Sequence, residues 1–177
     1  MEWLLFVGIC LVAGIILYQD FKERSVSWIA FPVLLILGVL FNLFQKQQLK
    51  TLFYNSFVNL ALVMLQFLFV FIYFYMRTRS RNFIDKQIGL GDILLIICAC
   101  FFFPPMTFFL FFILSLFFSL VVFFLVFRYS EKQRTLKTIP LAGLQSLFLP
   151  FFIFFHTIRD HDLTTDLWIL DLINSNG

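Results

Sequence analysis

The sequence predicts an all-α integral membrane protein, a bundle of about six transmembrane helices with both termini extracytoplasmic. Three observations carry that expectation. Of 177 residues, 62% are hydrophobic and 13% charged, with a mean hydropathy of +0.97, whereas a soluble domain carries about 25% charge. The charges are clustered, and the apolar runs between the clusters have the length of a bilayer crossing. The short loops joining those runs also differ strongly in basic content from one side to the other. Charge is costly to place in hydrocarbon, so its shortage marks a chain that resides there.

A spanning helix needs about 20 apolar residues to cross a core of about 30 Å. The first run is Trp3 to Gln19, closed by Asp20; the second is Ser25 to Gln45, between Arg24 and Lys46. The third, Thr51 to Met76, ends at the basic run Arg77, Arg79 and Arg81. Residues Ile93 to Phe127 form one charge-free interval of 35 residues. A single helix of that length would reach roughly 50 Å, too far for one crossing. Pro104-Pro105 lies inside it, where a helix is expected to break. The interval therefore divides into a fourth span, about Leu90 to Phe103, and a fifth, about Met106 to Phe127. The sixth runs from about Ile139 to Ile158, with Pro140 in its first turn, where proline is tolerated.

Residues 1–159 are thus expected to form one membrane domain, followed by an acidic extracytoplasmic tail at 160–177. In that tail Leu163, Leu167, Trp168, Leu170 and Ile173 suit a short interfacial helix, with Trp168 at the headgroups. The chain opens with Glu2 instead of a basic region, and no small-x-small site follows its first apolar run. That run is expected to be a retained span, not a cleaved signal peptide.

Six spans alternate the loops between two compartments. One side receives Lys22, Arg24, Arg77, Arg79, Arg81, Lys86, Arg128, Lys132, Arg134 and Lys137, ten basic residues; the other receives Lys46, Lys50 and Arg159. Cytoplasmic loops carry the excess of Lys and Arg, so the first side is expected to be cytoplasmic. The cluster Arg77, Arg79, Arg81 and Lys86 also suits anionic lipid headgroups. Split among three short loops, the basic residues make no nucleic-acid footprint.

The cysteines Cys10, Cys98 and Cys100 all lie in apolar runs, with no CxxC pair and no nearby histidine, so no metal site is expected. His156 and His161 fall on the external side. Gln66 and Gln145, polar groups within spans, are expected to hydrogen-bond between helices.

Acids at the membrane edge need a reason, because burying them is costly. Asp20 ends the first span and Asp92 begins the fourth, within Gly89-Leu90-Gly91-Asp92. Chain parity places both on the same face, which the basic loops mark as cytoplasmic. A carboxylate pair of this kind is what an aspartic protease uses: close like charges hold one proton between them, one acid activates water and the other polarises the scissile carbonyl. Gly89 and Gly91 would allow backbone or substrate to approach Asp92. By position alone another reading stays open, in which Asp20 marks the exit of the first helix and Asp92 caps the fourth. Glu23 and Asp85 lie nearby as lesser candidates.

Three segments carry a resemblance. Asp20-Phe21-Lys22-Glu23-Arg24-Ser25-Val26 resembles the first catalytic segment of the type IV prepilin peptidase family, Gly89-Leu90-Gly91-Asp92 its GxGD motif, and Ile139-Pro140-Leu141-Ala142-Gly143 its Ile-Pro segment opening the last span. The resemblance implies a membrane aspartic endopeptidase with Asp20 and Asp92 catalytic, Gly89, Gly91 and Pro140 positioning substrate, and neither metal nor cofactor. It implies a prepilin or pseudopilin-like partner with a hydrophobic N-terminal helix, cut after a short basic leader at the cytoplasmic face of the bacterial inner membrane. Ser27, Trp28 and Leu94 depart from the residues common at their places in these motifs. The methylation segment of longer members has no counterpart in this sequence, so only peptidase activity is expected. The competing classes are a catalytically silent binding or assembly factor for prepilin-like helices, and a small proton-coupled transporter.

Overall fold

The computed structural model describes residues 2–23, 25–78, 89–127, 141–159 and 164–168. Pro140, Asp85, His161 and most of the two strongly basic loops lie outside the described residues. Among the described residues six helices form: α1 Glu2–Glu23, α2 Ala30–Phe44, α3 Leu49–Thr78, α4 Leu90–Ala99, α5 Pro105–Phe127 and α6 Leu141–Ile158. Among the described residues there is no strand, and the architecture is the all-α bundle that the charge-free intervals predict. Four helices, α1, α3, α5 and α6, are long and apolar enough to cross a bilayer. The other two are shorter than expected: α2 has 15 residues and α4 has 10, reaching about 22 and 15 Å against a core of about 30 Å.

Both short helices have a physical cause at one end. Residues 25–29 form a turn between α1 and α2, so α2 starts five residues later than its apolar run. At the other end of the pair, α4 stops at Ala99 and the chain turns through Phe101-Phe102-Phe103 before Pro104-Pro105. Pro105 then starts α5 at the first helical position, where a missing N–H costs nothing.

That turn leaves carbonyls that lipid could not satisfy. Two asparagines from neighbouring helices meet them. Asn42 Nδ2 on α2 lies 3.0 Å from Phe101 O, with Phe102 O at 3.3 Å and Gly38 O of its own helix at 3.0 Å. Asn59 Nδ2 on α3 donates to Cys100 O at 3.0 Å and Phe103 O at 2.8 Å. Phe102 itself is fully buried against α2. A Cβ built on Gly38 would lie 2.5 Å from its ring, so the absence of a side chain at 38 makes the seat for Phe102.

The beginning of α5 is completed from the tail. Asp166 accepts the Met106 N–H at 3.1 Å, the Thr107 N–H at 2.9 Å and the Thr107 hydroxyl at 2.8 Å. This is an N-cap supplied from 59 residues away. Trp168 is turned inward: it is buried, donates Nε1–H to Thr107 Oγ1 at 3.0 Å and packs edge-on to His156. His156 is likewise buried.

α6 is the central helix. Of its apolar window 61% is buried, against 17–22% for α1, α3 and α5. It packs along α1, α4 and α5. Ser146 joins it to α1, its hydroxyl 3.1 Å from Ala13 O. The peripheral helices expose broad apolar faces, such as Phe53, Phe57, Met64 and Phe69 on α3, suited to lipid contact. The expected interhelical bond of Gln145 is not formed: both its amide atoms are buried without a partner among the described residues.

Candidate active site

The end of α1 and the starts of α2, α4 and α6 meet at one end of the bundle. Asp20 lies within α1, which continues to Glu23, so the carboxylate projects from the last full turn of a continuous helix. Asp92 lies in the first turn of α4, where the Asp92 N–H bonds to Gly89 O at 3.1 Å. Both aspartates are half-buried. They stand close enough for their charges to repel one another.

The first residues of α6 come between them. The Gly143 N–H donates to Asp20 Oδ2 at 2.6 Å. The preceding N–H, that of Ala142, is turned toward the Asp92 carboxylate and favours its charged form, as does the Gly89 N–H. At this helix N-terminus the Gly143 N–H thus holds Asp20, and the neighbouring Ala142 N–H is turned toward Asp92. A helix start offers unsatisfied N–H groups and the positive end of the helix dipole, so it favours negative charge at this spot. The arrangement offsets part of the repulsion that brings a cost to pairing two acids in a half-buried site.

Glycines serve this geometry unequally. A Cβ at Gly143 would stand 3.0 Å from Asp20 Oδ2, 3.2 Å from Asp20 Cβ and 3.3 Å from the Phe21 ring. A Cβ at Gly89 would lie 3.1 Å from Asp92 Oδ2. At Gly91 it would find only ordinary contacts, Ala142 Cβ at 3.7 Å and the Phe31 ring and Val26 at 3.8 Å. Close approach of backbone to carboxylate thus favours glycine at 143 and at 89, whereas 91 has room for a methyl group. Ser27 holds the α1–α2 turn over this end, its N–H donating to Gln19 Oε1 at 2.8 Å.

The structure therefore assembles Asp20, Asp92, Gly89 and Gly91 at one place, while Pro140 lies outside the described residues. Sequence reasoning gave no role to Ala142 and Gly143. Their contribution is backbone, the Gly143 N–H to Asp20 above all, and its trace in the sequence is the pair of small residues that follows Pro140 in the segment resembling the family's last-span opening.

Residues 5–124 match the type IV leader peptidase family, a segment that contains both aspartates and ends before α6. No curated protein matches the chain, and no solved structure does. With a match across well over half its length, this membrane protein belongs to the type IV leader peptidase family.

Proposed function

We propose that the protein is a membrane aspartic endopeptidase in which Asp20 and Asp92 jointly activate one water molecule. The observation that carries this reading is the meeting of the two carboxylates at the start of α6, where the Gly143 N–H holds Asp20 and the charge of Asp20 bears on Asp92. Two acids this close share one proton, because both cannot ionise cheaply in a half-buried site.

That state is the one hydrolysis needs. The ionised carboxylate takes a proton from water as the water oxygen attacks the scissile carbonyl carbon. The protonated partner donates toward the carbonyl oxygen, stabilising the charge that develops there. Collapse of the tetrahedral intermediate breaks the C–N bond, and the leaving nitrogen takes a proton from the pair. The Gly143 N–H of α6 holds the Asp20 carboxylate in place throughout, with no covalent nucleophile involved.

The proposed substrate is the short basic leader of a prepilin-like or pseudopilin protein, cut next to its hydrophobic N-terminal helix, in the service of pilus assembly or protein secretion. Family membership supports the leader-bearing class. The basic residues, ten against three across the alternating loops, support a site at the cytoplasmic face of the bacterial inner membrane, with both termini outside. The reading is tested by co-expressing a prepilin-like substrate with wild type, Asp20→Asn and Asp92→Asn. Each variant should fold and accumulate normally and lose cleavage by about 10²–10⁴-fold, the scale of general acid–base catalysis. Cleavage at the normal site by either variant would show that the pair is not the catalytic one.

A further inference from the structure

The buried carboxamide of Gln145 has no place in the packing just described. Its side chain is 1% exposed on the central helix, and neither Oε1 nor Nε2 has a partner among the described residues. An unmet buried amide is costly, and a well-packed apolar side chain of similar shape would do better in a purely structural role. Gln145 also lines a cavity of about 10 Å³ enclosed by α4, α5 and α6, together with Leu95, Ile96, Phe111, Ser115 and Leu149.

The position of this cavity relative to the carboxylates follows from helix periodicity. Leu95 and Ile96 come three and four residues after Asp92, on the same face of α4. Gln145 comes three residues after Ala142, whose Cβ faces Gly91 of α4, and so shares that face of α6. The cavity therefore lies one helical turn deeper than Asp92, about 5 Å along the axes. Ser115 on α5 is fully buried and donates its hydroxyl to Phe112 O at 2.9 Å, which leaves its oxygen lone pairs to accept. Gln145 and Ser115 are the polar residues lining the cavity, with three side-chain polar atoms between them. A water molecule needs about 10–15 Å³ and two to four such partners.

We propose that Gln145 and Ser115 hold an internal water one turn beneath Asp92, and that Gln145 is thereby a positioning residue for hydrolysis. The second half rests on the peptidase reading above. Hydrolysis consumes one water per turnover, and this site stations one a helical turn from Asp92. The water accepts from Gln145 Nε2–H and donates to Gln145 Oε1 or Ser115 Oγ.

The test joins a structural readout to a kinetic one on the full chain. In crystals grown from a lipid phase, wild type should show one density peak within hydrogen-bonding distance of the Gln145 carboxamide. Gln145→Met, close in shape but without the amide, should lose it. For cleavage of a leader-bearing substrate, the Met variant should lower kcat about ten-fold with KM unchanged, the pattern of a group acting in the chemical step and not in binding. Ser115→Ala, which removes a single oxygen, should weaken the peak and lower kcat by a smaller factor; it decides the matter if Gln145→Met fails to accumulate. Absence of the peak in wild type overturns the site. A kcat for Gln145→Met within two-fold of wild type overturns the positioning role. If wild type cleaves nothing, the peptidase reading fails instead, and the density alone decides the water site.

Discussion

The backbone N–H of Gly143 stands 2.6 Å from Asp20 Oδ2, across a separation of 123 residues in the chain. This contact couples the first helix to the last at the point where the two carboxylates meet. It is closest while residue 143 lacks a side chain, since a Cβ would stand 3.0 Å from the same oxygen and push it aside by a few tenths of an ångström.

Gly143→Ala should therefore damage the site more than the fold. Displacing the Asp20 carboxylate by a few tenths of an ångström disturbs a geometry on which proton transfer depends, and about a 10²-fold loss of kcat is expected. Gly91→Ala is the control on stability. Its Cβ meets only contacts of 3.7 Å or more, and alanine favours a helix over glycine by about 1 kcal/mol. Thermal unfolding in detergent should show Gly91→Ala at or above the wild-type midpoint. A Gly143→Ala enzyme with full activity would remove the N–H contact from any account of the site.

The reasons that part of this molecule was legible in its sequence, and part was not, are physical. Charge-free intervals mark helices in lipid because the penalty for a charge is large and local. The double proline at 104 and 105 marks a break for the same kind of reason, a missing N–H and a ring clash. The early end of α4 at Ala99 has no such mark: Ile96 to Phe103 is uniformly apolar, and the turn there depends on Asn42 and Asn59, which belong to other helices. Asp20 and Asp92 could be nominated because an acid in an apolar setting demands a reason. Gly143 could not, because its contribution is a backbone group that every residue but proline possesses. Gln145 was expected to bridge helices, a general habit of polar groups in spans; the helices facing it instead present apolar side chains and a single serine across a cavity.

The paired asparagines give a prediction about stability without chemistry. Asn42→Leu and Asn59→Leu each leave carbonyls of the α4–α5 turn without donors in a buried setting, at a cost of about 1–3 kcal/mol. Because both act on the same four-residue turn, Cys100 to Phe103, the double variant should depart from additivity by about 0.5 kcal/mol or more. Reversible unfolding in mixed micelles measures this cycle. Strict additivity would mean that the two helices hold the turn independently.

Gly38 and Phe102 form a second such test. A methyl group at 38 would overlap the Phe102 ring, with contacts of 2.5, 2.7 and 2.9 Å. Gly38→Ala should cost about 1–3 kcal/mol by overpacking, despite the better helix propensity of alanine. Phe102→Leu alone should also destabilise, by opening space in the core. Combined with Gly38→Ala it should recover part of the loss, because the smaller side chain makes way for the methyl group. Midpoints of thermal unfolding for the two singles and the double decide this, and a double variant weaker than the sum of the singles would place the clash elsewhere.

The cap that Asp166 provides links the tail to the bundle, and its removal should have a graded consequence. Asp166→Ala withdraws acceptors from the Met106 and Thr107 N–H groups and the Thr107 hydroxyl. Losing an N-cap costs about 0.5–2 kcal/mol. Asp166→Asn retains a side-chain oxygen that can accept from one of these donors, so it should lose less than alanine does. The same substitution should free Trp168 from its seat between Thr107 and His156, moving its fluorescence toward the red as it meets a more polar setting. The site itself lies at the opposite end of α6, so kcat for leader cleavage should remain within about two-fold of wild type, as expected for distant, independent sites. A large fall in activity with an unchanged melting midpoint would instead show that the two ends of the bundle communicate through α6.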